Sequence, residues 1–184
     1  LTTYDRQTQA LGQIAGRLGW DQETYSPARS VVHRAKQLAY LQGKIHKLQT
    51  SDEFCEGLAS LDPANQRELT HRYERATKLP QELVERDSET SSLAKAAWSE
   101  AREKNEFQTF APHLAKLLEI AREKTDHWGF EDEPYDALLC EYERGAKTRE
   151  IAALFESIDT ELAEIAAAAV EKSSVIPADF LHGP

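Results

Sequence analysis

An all-α fold, an irregular bundle of about seven or eight helices with no sheet, is predicted by three features of the sequence. Apolar residues recur at steps of three and four along most of the chain, the spacing that gathers them on one face of a helix. No stretch alternates with period two long enough to make a half-buried strand. Helix-boundary chemistry also recurs at intervals: Ser51 before Asp52 and Glu53, Asp62 before Pro63, and Gly129 after Trp128.

Taken in order, residues 3–18 carry a short stripe of Leu11, Ile14, Ala15 and Leu18, and Gly19 is expected to end that helix. Trp20 to Pro27 reads as a loop or bend. Ala28 to Leu48 makes a long helix with Val31, Ala35, Leu38 and Ile45 on one face and Val32, Leu41 and Leu48 beside it. Ser51 then offers a capping hydroxyl, and the two acids after it lie at the positive end of the helix dipole. Asp62-Pro63 repeats the logic with proline at the first helical position, opening a helix to about Lys78. Pro80 opens a segment to about Glu103, with Leu83, Val84, Ala94, Ala97, Trp98 and Ala101 apolar and a polar weak point at 88–92 where a kink is expected. Pro112 is expected to start the next helix, with Leu114, Leu117, Leu118, Ala121, Thr125 and Trp128 on one side and Gly129 closing it. Residues 134–143 read as a short helix closed by Gly145. Thr148 is expected to cap the last long helix, where Ile151, Leu154, Phe155, Ile158, Leu162, Ile165, Ala166 and Ala169 recur.

With 184 residues and no repeat, linker or low-complexity tract, residues 1–184 read as a single helical domain. A chain of this size can bury roughly 70% of its unfolded surface without staples. The formal charge is −10, from 32 acids against 22 bases, so phosphate backbones are repelled on average and no nucleic-acid partner is expected. The longest apolar run, residues 165–170, is far short of the ~20 residues of a membrane span. No basic-then-apolar leader is present, and the two cysteines, Cys55 and Cys140, match no zinc-ribbon or redox spacing. A cytoplasmic protein with no membrane partner is the resulting expectation. The lack of any methionine and the ending at Phe180-Leu181-His182-Gly183-Pro184 suggest something other than a whole gene product.

Motifs for chemistry are scarce. A zincin-type peptidase needs two histidines one helical turn apart with a glutamate between them, to hold the metal and activate its water. The histidines here are His33, His46, His71, His113, His127 and His182; no two are four residues apart and none precedes a glutamate. Glu68-Leu69-Thr70-His71 has the Glu-x-x-His spacing of di-metal bundles, but those need a second copy and two further glutamates, so Glu68, His71 and Arg75 read as a solvated helix face. Gly12 and Gly16, four apart in polar surroundings, do not make a phosphate loop. Glu131-Asp132-Glu133 reads as a set of dipole partners ahead of a proline-started helix. Trp98 and Trp128 fall at core spacing on their helices, whereas Trp20, beside Asp21 and Glu23 at a helix end, is the better candidate for a groove or contact surface.

Five short blocks carry a resemblance. They are Trp20-Asp21-Gln22-Glu23-Thr24 with Pro27; Lys78-Leu79-Pro80 with Leu83-Val84; Trp98 with Ala101-Arg102, Asn105 and Phe107; Phe110-x-Pro112-x-Leu114; and Pro134-Tyr135-Asp136-Ala137-Leu138-Leu139 with Tyr142-Glu143 and Gly145. In this order they resemble the Taq-type metal-dependent carboxypeptidases. Ser26, Cys140 and Arg144 depart from that family's usual residues, none at a position of metal chemistry. The resemblance implies a large helical enzyme, commonly a homodimer, that removes single residues from peptide C-termini. It also implies that the His-Glu-x-x-His motif, and the zinc or other divalent metal it holds, belong to a part following this sequence, with residues 180–184 resembling the segment just before it. No catalytic or metal-binding residue, and no cofactor, is therefore assigned to this chain. It would supply scaffold and one wall of the substrate groove, with Trp20, Asp21 and Glu23 as groove residues and peptides as partners of the complete enzyme. The alternative is a stand-alone helical module for protein contacts or dimerisation.

Overall fold

The computed structural model describes residues 3–173. They form eight α-helices and one 3-10 turn, with no strand among the described residues. The chain divides into two compact units, residues 1–130 and 131–184.

The first unit contains α1 (Thr3–Thr24), a 3-10 turn (Ala28–Ser30), α2 (Val31–Gln49), α3 (Asp52–Leu58), α4 (Pro63–Thr77), α5 (Gln81–Lys104) and α6 (Phe107–Trp128). Helix α2 packs on both α1 and α5, and α5 also packs on α6. The α2 face buried there is made of small residues, Ala35, Ala39 and Gly43 at steps of four, followed by Ile45. Small side chains let the two helix axes approach closely, so the register is set by backbone proximity more than by large interdigitating groups. Val32, expected beside this face, is exposed instead. Across the seam α5 contributes Leu83, Ser92, Ala94 and Ala101, and α6 contributes Ile120, Thr125 and Trp128. Leu83, only 2% exposed, is one of the two largest fully buried side chains, Thr125 being the other.

The capping chemistry of α3 and α4 matches the sequence reading. Ser51 Oγ accepts from the Phe54 N–H at 3.2 Å, and Asp62 accepts from the N–H groups of Ala64 and Asn65, both at 3.2 Å. Phe54 and Tyr73 stack between these two helices. The end of α4 is tied to α2 by a hydrogen bond between His46 Nε2 and the Ala76 carbonyl. It is tied to α6 by Trp128 Nε1 donating to Arg75 O and Lys78 Nζ donating to Trp128 O. Trp128 is buried under the Arg75 guanidinium, 3.8 Å from its ring centroid, so Arg75 belongs to a packed stack and not to a solvated face. Glu68 is the exposed partner, paired with Arg72 one turn on.

In the first unit two boundaries and one expected kink differ from expectation. Helix α1 runs through Gly19 to Thr24, because glycine weakens a helix interior by only about 1 kcal/mol and the following turn closes on the Asp21 carbonyl. Helix α6 begins at Phe107, with Pro112 inside it. The left-handed Asn105 (φ 54°, ψ 40°) ends α5, while the Glu106 N–H returns to Ala101 O. That turn lets α6 start five residues before the proline, which costs one backbone bond on the exposed Gln108 side. Helix α5 continues through residues 88–92, where Ser92 finds a partner described below. Gly129 closes α6 with φ +80° and ψ 152°, a conformation essentially restricted to glycine.

The second unit contains α7 (Pro134–Leu139) and α8 (Thr148–Ser173). Helix α7 ends four residues earlier than expected, and Gly145 takes φ +85° in the turn between the two. Thr148 is the first residue of α8, not its cap: its N–H and hydroxyl both donate to Asp136 Oδ1, at 2.8 and 2.6 Å. Residues 180–184 lie outside the described residues. No helix among the described residues is long and apolar enough to cross a membrane.

Candidate functional site

Of four consecutive side chains in the last turns of α1, three reach two neighbouring helices, α2 and α5. Asp21 Oδ2 pairs with Arg34 Nη2 of α2 at 2.6 Å, and Arg34 Nη1 also donates to the Leu18 carbonyl at 3.3 Å. The guanidinium, 14% exposed, thus serves an interior carbonyl of α1 as well as the carboxylate. Gln22 and Ser92 of α5 exchange two hydrogen bonds, Nε2 to Ser92 O at 3.1 Å and Ser92 Oγ to Oε1 at 2.8 Å. Glu23 forms an ion pair with Lys95 of α5. Trp20 points elsewhere: 46% exposed, it meets the Tyr25 ring edge-on at 5.5 Å and has the Arg17 guanidinium 4.7 Å from its centroid.

These contacts bound a groove of about 480 Å³ between α1 and α5, floored by Leu38 and Gln42 of α2. Gly12, Gly16 and Gly19 line it from α1, and Ser88, Ser91, Ser92 and Lys95 from α5. A Cβ added at any of the three glycines would meet nothing within 4 Å. They therefore keep the groove open instead of drawing α1 and α5 together. Of the three residues singled out in the sequence, the structure brings Glu23 to the groove. Asp21 is turned to Arg34, and Trp20 lies on the outer surface of α1.

A second concavity, of about 450 Å³, lies where α5 passes into α6, lined by Trp98, Ala101, Arg102, Asn105, Phe107 and Phe110. Trp98, expected in the core, is 45% exposed, with Arg102 over its ring at 5.5 Å. Its ring lines this concavity with Phe107 and Phe110 and is left half open there.

In the second unit the acidic run has cationic partners: Glu131 pairs with Lys147 at 3.0 Å, and Asp132 with Arg149 at 3.6 Å. Asp136 is buried, 8% exposed, and its carboxyl is held below the ordinary aspartate range, first by the Thr148 hydroxyl, then by the Thr148 N–H, with Lys147 adding to both. Lys147 is raised in turn, chiefly by its hydrogen bond to Glu131. This is helix-capping electrostatics; the carboxylate is consumed by the N-terminus of α8.

None of these arrangements suits a metal. Among the described residues no three His, Cys, Asp or Glu side chains are grouped so that they could hold an ion. Nor does the sequence contain two histidines one turn apart. The donor set of a metallopeptidase centre does not fit the residues present here, and no hydrolytic step is derived from them.

The family model described as carboxypeptidase Taq (M32) metallopeptidase matches residues 1–183. Thermostable carboxypeptidase 1 of Pyrococcus furiosus is 33% identical over 179 residues, covering 92% of this chain and 36% of that protein. Thermostable carboxypeptidase 1 of Thermus thermophilus is 30% identical over 182 residues, covering 86% of this chain and 35% of that protein. The solved structure of Pyrococcus furiosus carboxypeptidase superposes with a TM-score of 0.69 at 31% identity, covering 92% of this chain and 36% of that one. The chain therefore spans about a third of the length of the relatives it matches, and corresponds to their N-terminal portion.

Proposed function

Since the chain belongs to the carboxypeptidase Taq (M32) metallopeptidase family, we propose that it forms the N-terminal helical region of a metal-dependent carboxypeptidase and does not itself carry the hydrolytic centre. The observation that carries this reading is the coverage: nearly the whole chain matches, yet only about a third of each relative is represented. In the complete enzyme, zinc or another divalent ion would be held by residues following this region, and single residues would be released from peptide C-termini. The part played by residues 1–184 is scaffold and one wall of the peptide groove. The α1–α5 groove, with Glu23 and Lys95 at one end and Gln22, Ser91 and Ser92 along it, offers polar partners to an extended peptide backbone. Trp20 and Asp21 contribute from the same helix end, the former as a contact surface and the latter by fixing that end on Arg34. A cytoplasmic location and a homodimeric complete enzyme go with this reading.

A chimera tests it. Residues 1–184 replace the matched third of Pyrococcus furiosus thermostable carboxypeptidase 1, and C-terminal trimming of a peptide is followed by mass spectrometry. The expected result is metal-dependent trimming that weakens several-fold when Glu23→Ala and Lys95→Ala are introduced together. A folded, metal-loaded chimera with no trimming contradicts the scaffold role.

A further inference from the structure

The concavity at the α5–α6 turn combines three aromatic rings with a cation that the fold leaves uncommitted. The left-handed Asn105 reverses the chain there, so Trp98 and Arg102 from the end of α5 and Phe107 and Phe110 from the start of α6 line one space of about 450 Å³. Trp98 and Phe107 are 45% and 60% exposed, and Phe107 meets Phe110 edge-on with centroids 6.3 Å apart. The Arg102 guanidinium lies over the Trp98 ring, a contact that needs none of its five N–H donors. Among the described residues no carboxylate pairs with Arg102 and its side chain makes no hydrogen bond, although the chain holds 32 acids. The acids nearest in sequence serve Lys104 instead. Glu100 pairs with it at 2.6 Å and is the chief reason its ammonium is held above the ordinary lysine range, with Glu106 and Glu103 adding to that. Helix α6 begins at Phe107 with no side-chain cap, which adds the positive end of its dipole to the same rim.

Shape and charge together select the ligand. A planar ring placed among three aromatic side chains gains stacked or edge-on contacts beyond the area it buries. A guanidinium binds a carboxylate through two parallel N–H···O bonds. One arginine balances one negative charge. A phosphorylated ring carries about two, and the surplus would face Glu103 and Glu106 on a chain already at −10. A cationic ring would be repelled by Arg102 itself. The space available lies within the roughly 300–1,000 Å³ usual for small-molecule sites.

We infer that the α5–α6 concavity is a binding site for an aromatic monocarboxylate, its ring against Trp98, Phe107 and Phe110 and its carboxylate on Arg102. The site shares no lining residue with the α1–α5 groove and does not depend on the peptide-groove reading.

The test uses the 184-residue protein and naphthylacetate, with naphthylethanol, acetate and adenosine monophosphate titrated alongside. Amide NMR is expected to show saturable shifts of the Trp98 indole N–H and the Phe107 amide, with a Kd for naphthylacetate of about 1 mM or tighter, the level that ligand efficiency gives for its size. Naphthylethanol is expected to bind about tenfold more weakly, because it lacks the charge-assisted pair. Acetate should give no saturable shift. Arg102→Gln is expected to weaken naphthylacetate about tenfold and leave naphthylethanol unchanged, while Trp98→Leu weakens both and circular dichroism retains the helical signal. Equal binding of the acid and the alcohol overturns the inference, as does saturable binding of naphthylacetate that leaves Trp98 and Phe107 unmoved. Tighter binding of adenosine monophosphate, or no binding of naphthylacetate, overturns it without relying on any variant.

Discussion

The α2–α5 seam makes a prediction whose sign depends on a single side chain. Gly43 is buried on α2, and a Cβ built there would lie 2.8 Å from Glu85 Cγ and 2.7 Å from Glu85 Cδ, with the carboxylate oxygen nearer still. Three atoms overlap, so Glu85 has to leave its rotamer altogether and give up the hydrogen bond that Gln81 Nε2 donates to it at 2.7 Å. Forcing a methyl into a packed seam costs about 1–3 kcal/mol. Replacing glycine by alanine inside a helix returns about 1 kcal/mol. In the native background Gly43→Ala is therefore expected to fall between neutral and about 2 kcal/mol destabilising. With Glu85→Ala in place the obstruction is gone, and the same substitution is expected to stabilise by about 1 kcal/mol. The coupling between the two sites should be at least about 1 kcal/mol. Urea unfolding followed by tryptophan fluorescence reads the relevant unit, because Trp20, Trp98 and Trp128 all lie within residues 1–130. If Gly43→Ala stabilises equally in both backgrounds, the close approach of α2 and α5 is wrong.

Leu83→Ala is expected to cost about 2–5 kcal/mol in the same assay, since it empties one of the most fully buried side-chain positions. Arg34→Ala should cost about 1–2 kcal/mol, more than an open surface ion pair, because it leaves Asp21 and the Leu18 carbonyl without their partly buried partner. Asp136, whose carboxyl is depressed in the folded chain, stabilises the start of α8 at pH values above the ordinary aspartate range. That contribution is lost as pH falls through its lowered folded value, so the protection of the Thr148 amide relative to its intrinsic exchange rate should fall on acidification, and Asp136→Asn should flatten that acid dependence.

What was legible in the sequence was local. Ser51 and Asp62 cap helices through atoms two or three residues away, and the α8 stripe is a property of one helix. Gly19 and Pro112 misled because each was weighed alone. The continuation of α1 and the early start of α6 depend on a turn closing on Asp21 O and on Asn105 adopting a left-handed conformation. The expected kink in α5 failed for a non-local reason: Ser92 is satisfied by Gln22, 70 residues away. The candidate site shows the same division. Trp20, Asp21 and Glu23 were recognisable as a group, but their separation into an outer ring, an Arg34 pair and a groove carboxylate is set by α2 and α5. Nothing in residue spacing near position 23 points to Lys95.

The central claim is that these helices carry the architecture of a metallocarboxypeptidase but not its metal chemistry. The purified 184-residue protein, dialysed against excess zinc and then against buffer, can be assayed for bound metal by mass spectrometry and for release of residues from a peptide C-terminus in the same sample. The account predicts far less than one ion per chain and an intact peptide. One tightly held zinc per chain together with stepwise shortening of the peptide tail would contradict it.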